Sequence, residues 1–176
     1  MKKTTVVELD FVIDCLTNSI RNTISGDSFN TDVIRLTHGD LNHISKRNKW
    51  LFDWKTEWSD NRKEIYKLTI VNNPHIPQGL MSLSIGTDHV FIHLLENAPF
   101  NLGKNKLYEG VAGNLVAYAC KTSFHHGFEG YVSFTAKTNL IKHYKKTLNA
   151  ELIGSQTMII NTIAANILID KYFKGV

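Results

Sequence analysis

The chain has 176 residues, 43% of them hydrophobic and 20% charged, which predicts a single domain over residues 1–176 and excludes intrinsic disorder. Its 20 Lys and Arg outnumber its 16 Asp and Glu, and the net charge of +4 leaves a nucleic-acid-binding role open. Only Cys15 and Cys120 occur, far apart, which excludes a disulfide framework or a zinc ribbon and favours the cytoplasm.

The first part of the chain predicts alternating short strands and helices. β-Branched residues favour a strand over Thr4–Ile13, and Asp14 is positioned to cap a helix that ends at Gly26. Thr31–Leu36 then predicts a short strand, and Thr37 is a candidate cap for a second, short helix.

The middle of the chain predicts three neighbouring antiparallel strands. Glu64–Val71 is rich in β-formers, Gln78–Gly86 alternates apolar with small polar residues, and Val90–Leu95 is apolar enough for a central strand. An aromatic stretch precedes them. Its residues either pack against the sheet or line a pocket for an acceptor molecule, and packing is the favoured interpretation. They are Trp50, Phe52, Trp54 and Trp58.

The last part of the chain predicts helices alternating with strands. From Gly110 to about Phe124 apolar residues recur at spacings of three and four, which indicates a helix. Gly130–Ala136 predicts a strand and Asn139–Leu148 a basic amphipathic helix. A strand around Thr157–Ile160 and one closing helix complete a mixed α/β fold.

The most informative segment is the crossing from the central strand into the first long helix. Gly110, Ala112 and Gly113 carry little side-chain bulk there, so backbone N–H groups and the positive helix end are free to hold an anion such as pyrophosphate. Alone, this spacing is more often a packing or turn device. The segment matches neither a P-loop nor a dinucleotide-binding fingerprint.

Two segments together resemble a known family. Gly110–Leu115 is similar to the Gly-x-Gly/Ala motif of the GNAT acyltransferase superfamily, and Asn139–Ala150 is similar to that family's second motif, which follows its fifth strand. The motifs occur in the family's order, and the resemblance covers roughly residues 64–153. It implies a GNAT-like fold of the α/β (α+β mixed) class, with a central mixed, largely antiparallel sheet flanked by helices.

The resemblance also implies acetyl-CoA as the co-substrate. In GNAT enzymes backbone amides of the first motif hold the pyrophosphate, the pantetheine arm enters the gap where the fourth strand splays from the fifth, and the second motif's Asn contacts the arm. Carried over by position, the cofactor-binding residues are Leu94, Leu95, Leu107, Glu109, Gly110, Ala112, Gly113 and Asn139. Leu107 stands where the family often has Arg or Gln, with Lys104 and Lys106 as substitute phosphate partners. No histidine pair has metal-site spacing with a supporting carboxylate, so no metal is expected.

Acyl transfer from a thioester to an amine needs a proton for the leaving thiolate and a group that takes the amine's proton. The family's Tyr corresponds to Tyr144, which is either the general acid or a core aromatic. Glu96 is the predicted base and His93 its rival, while the alternatives are a carboxylate that orders the following loop and a hydrogen-bonded sheet histidine. Strand alternation places the two on opposite faces unless a bulge intervenes.

The leading hypothesis is a cytoplasmic N-acetyltransferase that transfers an acyl group, taken to be acetyl, from coenzyme A to a primary amine of an unidentified small molecule or peptide. One alternative is a nucleic-acid-binding module that uses Lys142, His143, Lys145 and Lys146 together with exposed aromatic residues. Another is a coenzyme A-binding protein of this fold without catalysis, which Leu107 keeps open. Neither a membrane nor a nucleic acid is the favoured partner, and a homodimer is left open.

Overall fold

Ten strands and four α-helices form within residues 6–17 and 19–173, which are the residues that this computed structural model describes. The strands are β1 (Ile20–Asn22), β2 (Ser28–Phe29), β3 (Thr31–Arg35), β4 (Glu64–Ile70), β5 (Gly79–Ile85), β6 (Val90–Asn97), β7 (Tyr108–Glu109), β8 (Val132–Thr135), β9 (Glu151–Ile153) and β10 (Thr157–Ile160). The α-helices are α1 (Trp54–Ser59), α2 (Val111–His125), α3 (Ile141–Leu148) and α4 (Thr162–Phe173). None of these helices is long and apolar enough to cross a membrane.

A seven-stranded sheet with the order β3-β4-β5-β6-β8-β10-β9 forms the centre of the molecule. All neighbours are antiparallel except β6 and β8, which run parallel. That parallel pairing is short, because only Val90 with Val132 and Phe91 with Ser133 are paired. Beyond Phe91 the two strands separate, and the rest of β6 faces a gap. The expected mixed, largely antiparallel sheet is confirmed.

One extra residue on β6, His93, marks the place where the register against β5 shifts. Such a bulge bends a strand and increases its twist. The Nε2 atom of His93 lies 2.8 Å from Ser84 Oγ. Leu80, on the same face of β5 as Ser84, pairs with Glu96. The bulge therefore brings His93 and Glu96 to one face of the sheet, where plain alternation would have separated them.

Helices cover the sheet and complete the core. α2 contacts β5 and β6, and α4 packs against α2. In the aromatic stretch Trp50 and Trp54 are buried and Phe52 packs against the core, while Trp58 is 37% exposed. Packing is therefore the main role of this stretch.

The N-terminal region does not form the expected elements. The described part of the strand predicted over Thr4–Ile13 has no regular structure apart from a single parallel bridge between Leu9 and Ala136, and residues 4–5 lie outside the described residues. The helix predicted from Asp14 to Gly26 is also wrong. Residues 20–22 form β1, which pairs with β2 and β7 in a separate three-stranded sheet. The Asp14 carboxylate is not available as a local cap, because it bonds to a residue of the distant α2 segment.

The short helix expected after Thr37 is a 3-10 turn over Gly39–His43 instead of an α-helix. The N-cap of this turn is His38 and not Thr37, although the Thr37 hydroxyl oxygen accepts a hydrogen bond from Asp40 N at 3.3 Å. The Asp40 carboxylate accepts in turn from Lys67 Nζ on β4 at 2.9 Å, which holds the turn against the sheet.

Candidate functional site

A cavity of about 220 Å³ lies beside the end of β6, where β6 has left β8. One wall is formed by Leu95, Glu96 and Asn97 of β6, and the facing wall by Phe11, Val12 and Asp14 of the N-terminal segment. The side-chain oxygen of Asn97 is buried and has no hydrogen-bond partner among the described residues. The cavity wall thus offers an acceptor that an incoming N–H group could use.

Tyr144 of α3 does not itself line the cavity, but it contacts Phe11, which does. The helix is amphipathic, with Ile141, Tyr144 and Leu148 buried, and it ends at Asn149, whose φ of 52° is left-handed. The Tyr144 side chain is completely buried, and its hydroxyl donates to Phe11 O at 2.6 Å. Burial raises the pKa of the Tyr144 phenol well above its ordinary value, so the group keeps its proton at neutral pH. The role of general acid stays a prediction, and the chemical state that it needs is present.

Glu96 joins β6 to the segment that precedes α1. Its carboxylate accepts hydrogen bonds from Leu51 N (2.7 Å), Phe52 N (3.3 Å) and Trp54 Nε1 (2.8 Å). Two of these donors reach Oε1 and one reaches Oε2, so Oε2 keeps one lone pair free. The carboxylate lines the cavity and fixes residues 51–54, rather than the loop that follows β6. Its role as base stays a prediction.

His93 does not line the cavity. Its ring is held by the hydrogen bond to Ser84, and burial lowers the pKa of His93 below the ordinary value. This geometry matches the hydrogen-bonded sheet histidine better than a base directed at an acceptor.

The loop of the first motif meets α2 at Gly110, whose φ of 93° is left-handed and favours glycine. Gly110 N donates to Asp14 Oδ1 at 3.0 Å, and the Glu109 side chain forms an ion pair with Arg21. Ala112 is completely buried. The anion-binding end of α2 is therefore already in contact with the N-terminal region.

Gly113 permits a close approach of α4 to the same helix end. A Cβ at Gly113 would lie 1.8 Å from the hydroxyl oxygen of Tyr172. That hydroxyl donates to Cys15 O at 2.7 Å. The small residue thus serves packing in this structure.

The remaining predicted cofactor-binding residues are dispersed. Leu94 and Leu95 are buried on β6, but only Leu95 lines the cavity. Leu107 has an exposed side chain, and its N–H donates to Phe100 O. Asn139 is exposed in the turn before α3. Their roles toward acetyl-CoA stay predictions.

The N-terminal segment is the part of the site that sequence reasoning missed. Its contacts join residues 88 to 157 positions apart along the chain, from the Arg21 to Glu109 pair to the Tyr172 to Cys15 hydrogen bond. No motif or periodicity predicts such pairs, because the sequence around each partner carries no sign of a contact with a distant residue.

No protein-family model and no curated protein matches the sequence. Solved structures do match the fold. One is a mutant AtaT toxin bound to the C-terminus of the antitoxin AtaR and acetyl-CoA, with a TM-score of 0.55, 16% identity, and coverage of 80% of this chain and 98% of that chain. Another is a SpeG spermidine N-acetyltransferase chimera from Vibrio cholerae and hSSAT, with a TM-score of 0.54, 18% identity, and coverage of 78% and 98%. A third is AtaTR bound with acetyl-CoA, with a TM-score of 0.51, 17% identity, and coverage of 80% and 98%. The chain therefore has the fold of the GNAT N-acetyltransferases.

Proposed function

We propose that the protein is an N-acetyltransferase that transfers an acetyl group from acetyl-CoA to a primary amine of a small molecule or peptide. The observation that carries this proposal is the hydrogen bond of the Tyr144 hydroxyl to Phe11 O, because Phe11 lines the cavity beside the end of β6. Support comes from the fold, because AtaT and AtaTR, two of the structures that share it, are acetyl-CoA complexes.

The residues around the gap fit the chemistry of acetyl-CoA. Gly110 N and Lys106 Nζ already hold the two carboxylate oxygens of Asp14, at 3.0 and 2.8 Å, so this helix end binds an anion. The unpartnered oxygen of Asn97 offers an acceptor for an amide N–H of the pantetheine arm. In this proposal the loop at Gly110 holds the pyrophosphate and the end of β6 holds the arm.

The transfer forms a bond between the amine nitrogen and the acyl carbon and breaks the bond between that carbon and sulfur. The leaving thiolate needs a proton, which Tyr144 can donate because its buried phenol is protonated. The amine must lose a proton, and the carboxylate of Glu96, which lines the cavity, is our candidate to accept it. Glu96 also positions residues 51–54, so Glu96→Gln should affect stability as well as turnover.

The alternative of a nucleic-acid-binding module gains little from the structure. Lys142, Lys145 and Lys146 are exposed on α3, but a cluster of three lysines is small for such a surface. The alternative of coenzyme A binding without catalysis shares the binding site and differs from our proposal in turnover alone.

Calorimetric titration with acetyl-CoA, followed by a thiol-release assay across a panel of primary amines, tests the proposal. We expect binding, and turnover with at least one amine. Tyr144→Phe should lower turnover by about 10²-fold or more while binding is retained. Tyr131→Phe is the matched control, because Tyr131 has an exposed side chain away from the gap. Absence of acetyl-CoA binding in the unmodified protein and in an Asp14→Ala variant would refute the proposed function, and binding without turnover would favour the non-catalytic alternative.

A further inference from the structure

The segment Leu9–Cys15, called the strap below, runs through the gap that β6 leaves beside β8. Its first anchor is β8 itself. Leu9 N donates to Thr135 O at 2.7 Å and Lys137 N donates to Leu9 O at 2.9 Å, which makes Leu9 a parallel bridge partner of Ala136. Where β6 has departed, the strap therefore takes over the open edge of β8.

The middle of the strap engages α3. The Tyr144 hydroxyl donates to Phe11 O, and the Phe11 ring lies 4.8 Å from the Tyr144 ring between centroids. Ile13 N donates to His143 Nε2 at 2.9 Å. The proton that our proposed function assigns to the leaving thiolate is therefore bound to the strap's own backbone.

The end of the strap engages the first-motif loop and α4. Asp14 Oδ1 accepts from Gly110 N, and Asp14 Oδ2 forms an ion pair with Lys106 Nζ at 2.8 Å. Both side chains are partly shielded, with 13% of Asp14 and 26% of Lys106 exposed. The Tyr172 hydroxyl donates to Cys15 O. A carboxylate thus occupies the position that we assign to the pyrophosphate.

We propose that the strap is an autoinhibitory element that competes with acetyl-CoA for the gap, with Asp14 standing in for the pyrophosphate and the Phe11 carbonyl for the group that Tyr144 protonates. This inference rests on the proposed function. Consecutive parts of the strap bond to the edge of β8 that borders the gap, to the proposed acid and to the loop that we assign to the pyrophosphate. Acetyl-CoA binds only when the strap has left.

Two kinds of contact oppose release of the strap. Buried side chains at Leu9, Phe11 and Ile13 favour the closed form, and hydrogen bonds fix the backbone. The apparent affinity for acetyl-CoA is reduced by the fraction of molecules in which the strap is released. Variants that shift this fraction should shift the affinity in proportion.

The first experiment loosens the strap at Asp14. Asp14→Ala removes a charge-assisted hydrogen bond and an ion pair, and it frees Gly110 N and Lys106. Calorimetry should show acetyl-CoA binding about tenfold or more tighter than in the unmodified protein. Asp27→Ala is the matched control, because Asp27 is an exposed acid in the turn between β1 and β2. Its affinity should not change.

The second experiment fixes the strap in place. Asp10 and Lys137 follow the bridged pair on the strap and on β8, and their side chains form an ion pair, so they face each other. Neighbouring strands lie about 4.8 Å apart, within the range that a disulfide spans. Asp10→Cys with Lys137→Cys, in a Cys15→Ser background, should lose at least about tenfold in acetyl-CoA affinity when oxidised. Dithiothreitol should restore it.

Hydrogen exchange provides a readout that does not depend on the variants. Acetyl-CoA should increase exchange of the Leu9 and Lys137 amides, which the bridge protects in the closed form. Equal acetyl-CoA affinity in the unmodified, Asp14→Ala and oxidised proteins, with unchanged amide exchange, would refute the autoinhibitory role of the strap and leave the proposed function in place. Failure of every reduced variant to bind acetyl-CoA would overturn both.

Discussion

Gly113→Ala tests how closely α4 approaches the start of α2. The new methyl group would lie 1.8 Å from the Tyr172 hydroxyl oxygen and 2.5 Å from its ring carbon Cζ, and Tyr172 is only 3% exposed. Because the ring has no free space, α4 must shift or the hydroxyl must leave Cys15 O.

The magnitude follows from three contributions. Overpacking of a filled core costs about 1–3 kcal/mol, and loss of the Tyr172 hydrogen bond costs about 1 kcal/mol. The higher helix propensity of Ala offsets at most about 1 kcal/mol. We therefore expect the free energy of unfolding to fall by about 1–3 kcal/mol, and Tm by roughly 3–10 °C for a chain of this size.

Thermal and urea denaturation would measure this effect, with Gly39→Ala as the control. A Cβ at Gly39 meets only Thr37 Oγ1, at an ordinary 3.8 Å, so that variant should remain within about 0.5 kcal/mol of the parent. Adding Tyr172→Phe removes the nearest clashing atom, and the double variant should be more stable than the sum of the single losses predicts. Unchanged stability of Gly113→Ala would refute the close approach.

The remaining predictions concern a buried ion pair, two histidines and Glu96. Asp40→Asn leaves the buried Lys67 ammonium without its opposite charge, although Pro74 O still accepts from it, and should lower the free energy of unfolding by about 3 kcal/mol in urea denaturation; no loss would mean that the pair contributes nothing. Burial lowers the pKa of His93 and of His143, so the native state favours their neutral forms. The stability that these two neutral histidines provide is complete above about pH 6.5 and should be lost as the pH falls below that value. Denaturation at a series of pH values would detect this loss, and a free energy of unfolding that does not change with pH would contradict it. Glu96→Gln turns an amide NH₂ toward N–H donors and should cost about 2 kcal/mol of stability. If Glu96 is also the base, the acid limb of the pH profile of kcat/KM should disappear in this variant, whereas a positioning role alone would leave the limb in place.

Local patterns predicted the elements whose stability is decided by neighbours in sequence. The three-and-four spacing after Gly110 predicted α2, because a helix with one buried face needs apolar residues at that spacing. The apolar run from Val90 predicted β6, because a strand that is buried on both faces needs apolar residues at successive positions. The bulge at His93 left no such trace, since one extra residue changes the pairing and not the composition.

The N-terminal region was predicted wrongly for a physical reason that Ile20 and Asp14 illustrate. Ile20 lies at helical spacing from Leu16, but the strand pairing that β1 makes with β7 requires a partner far along the chain. Asp14 was predicted to cap its own helix. Its carboxylate does accept an amide at a helix start, but the amide is that of Gly110 at α2. The chemistry of the residue was predictable, and its partner was not.

The extra residue on β6 makes the gap depend on chain length as well as on side-chain identity. A substitution at His93 leaves the residue count of β6 unchanged, so the bend and the opening should survive even a drastic change of side chain. Deleting His93 would restore plain alternation and allow β6 to follow β8 further, while Leu94, Leu95 and Glu96 would keep their present partners on β5 and their present faces. The opening in this sheet thus depends on a single extra residue, so we expect it to be lost when one codon is deleted and to survive substitutions within that codon.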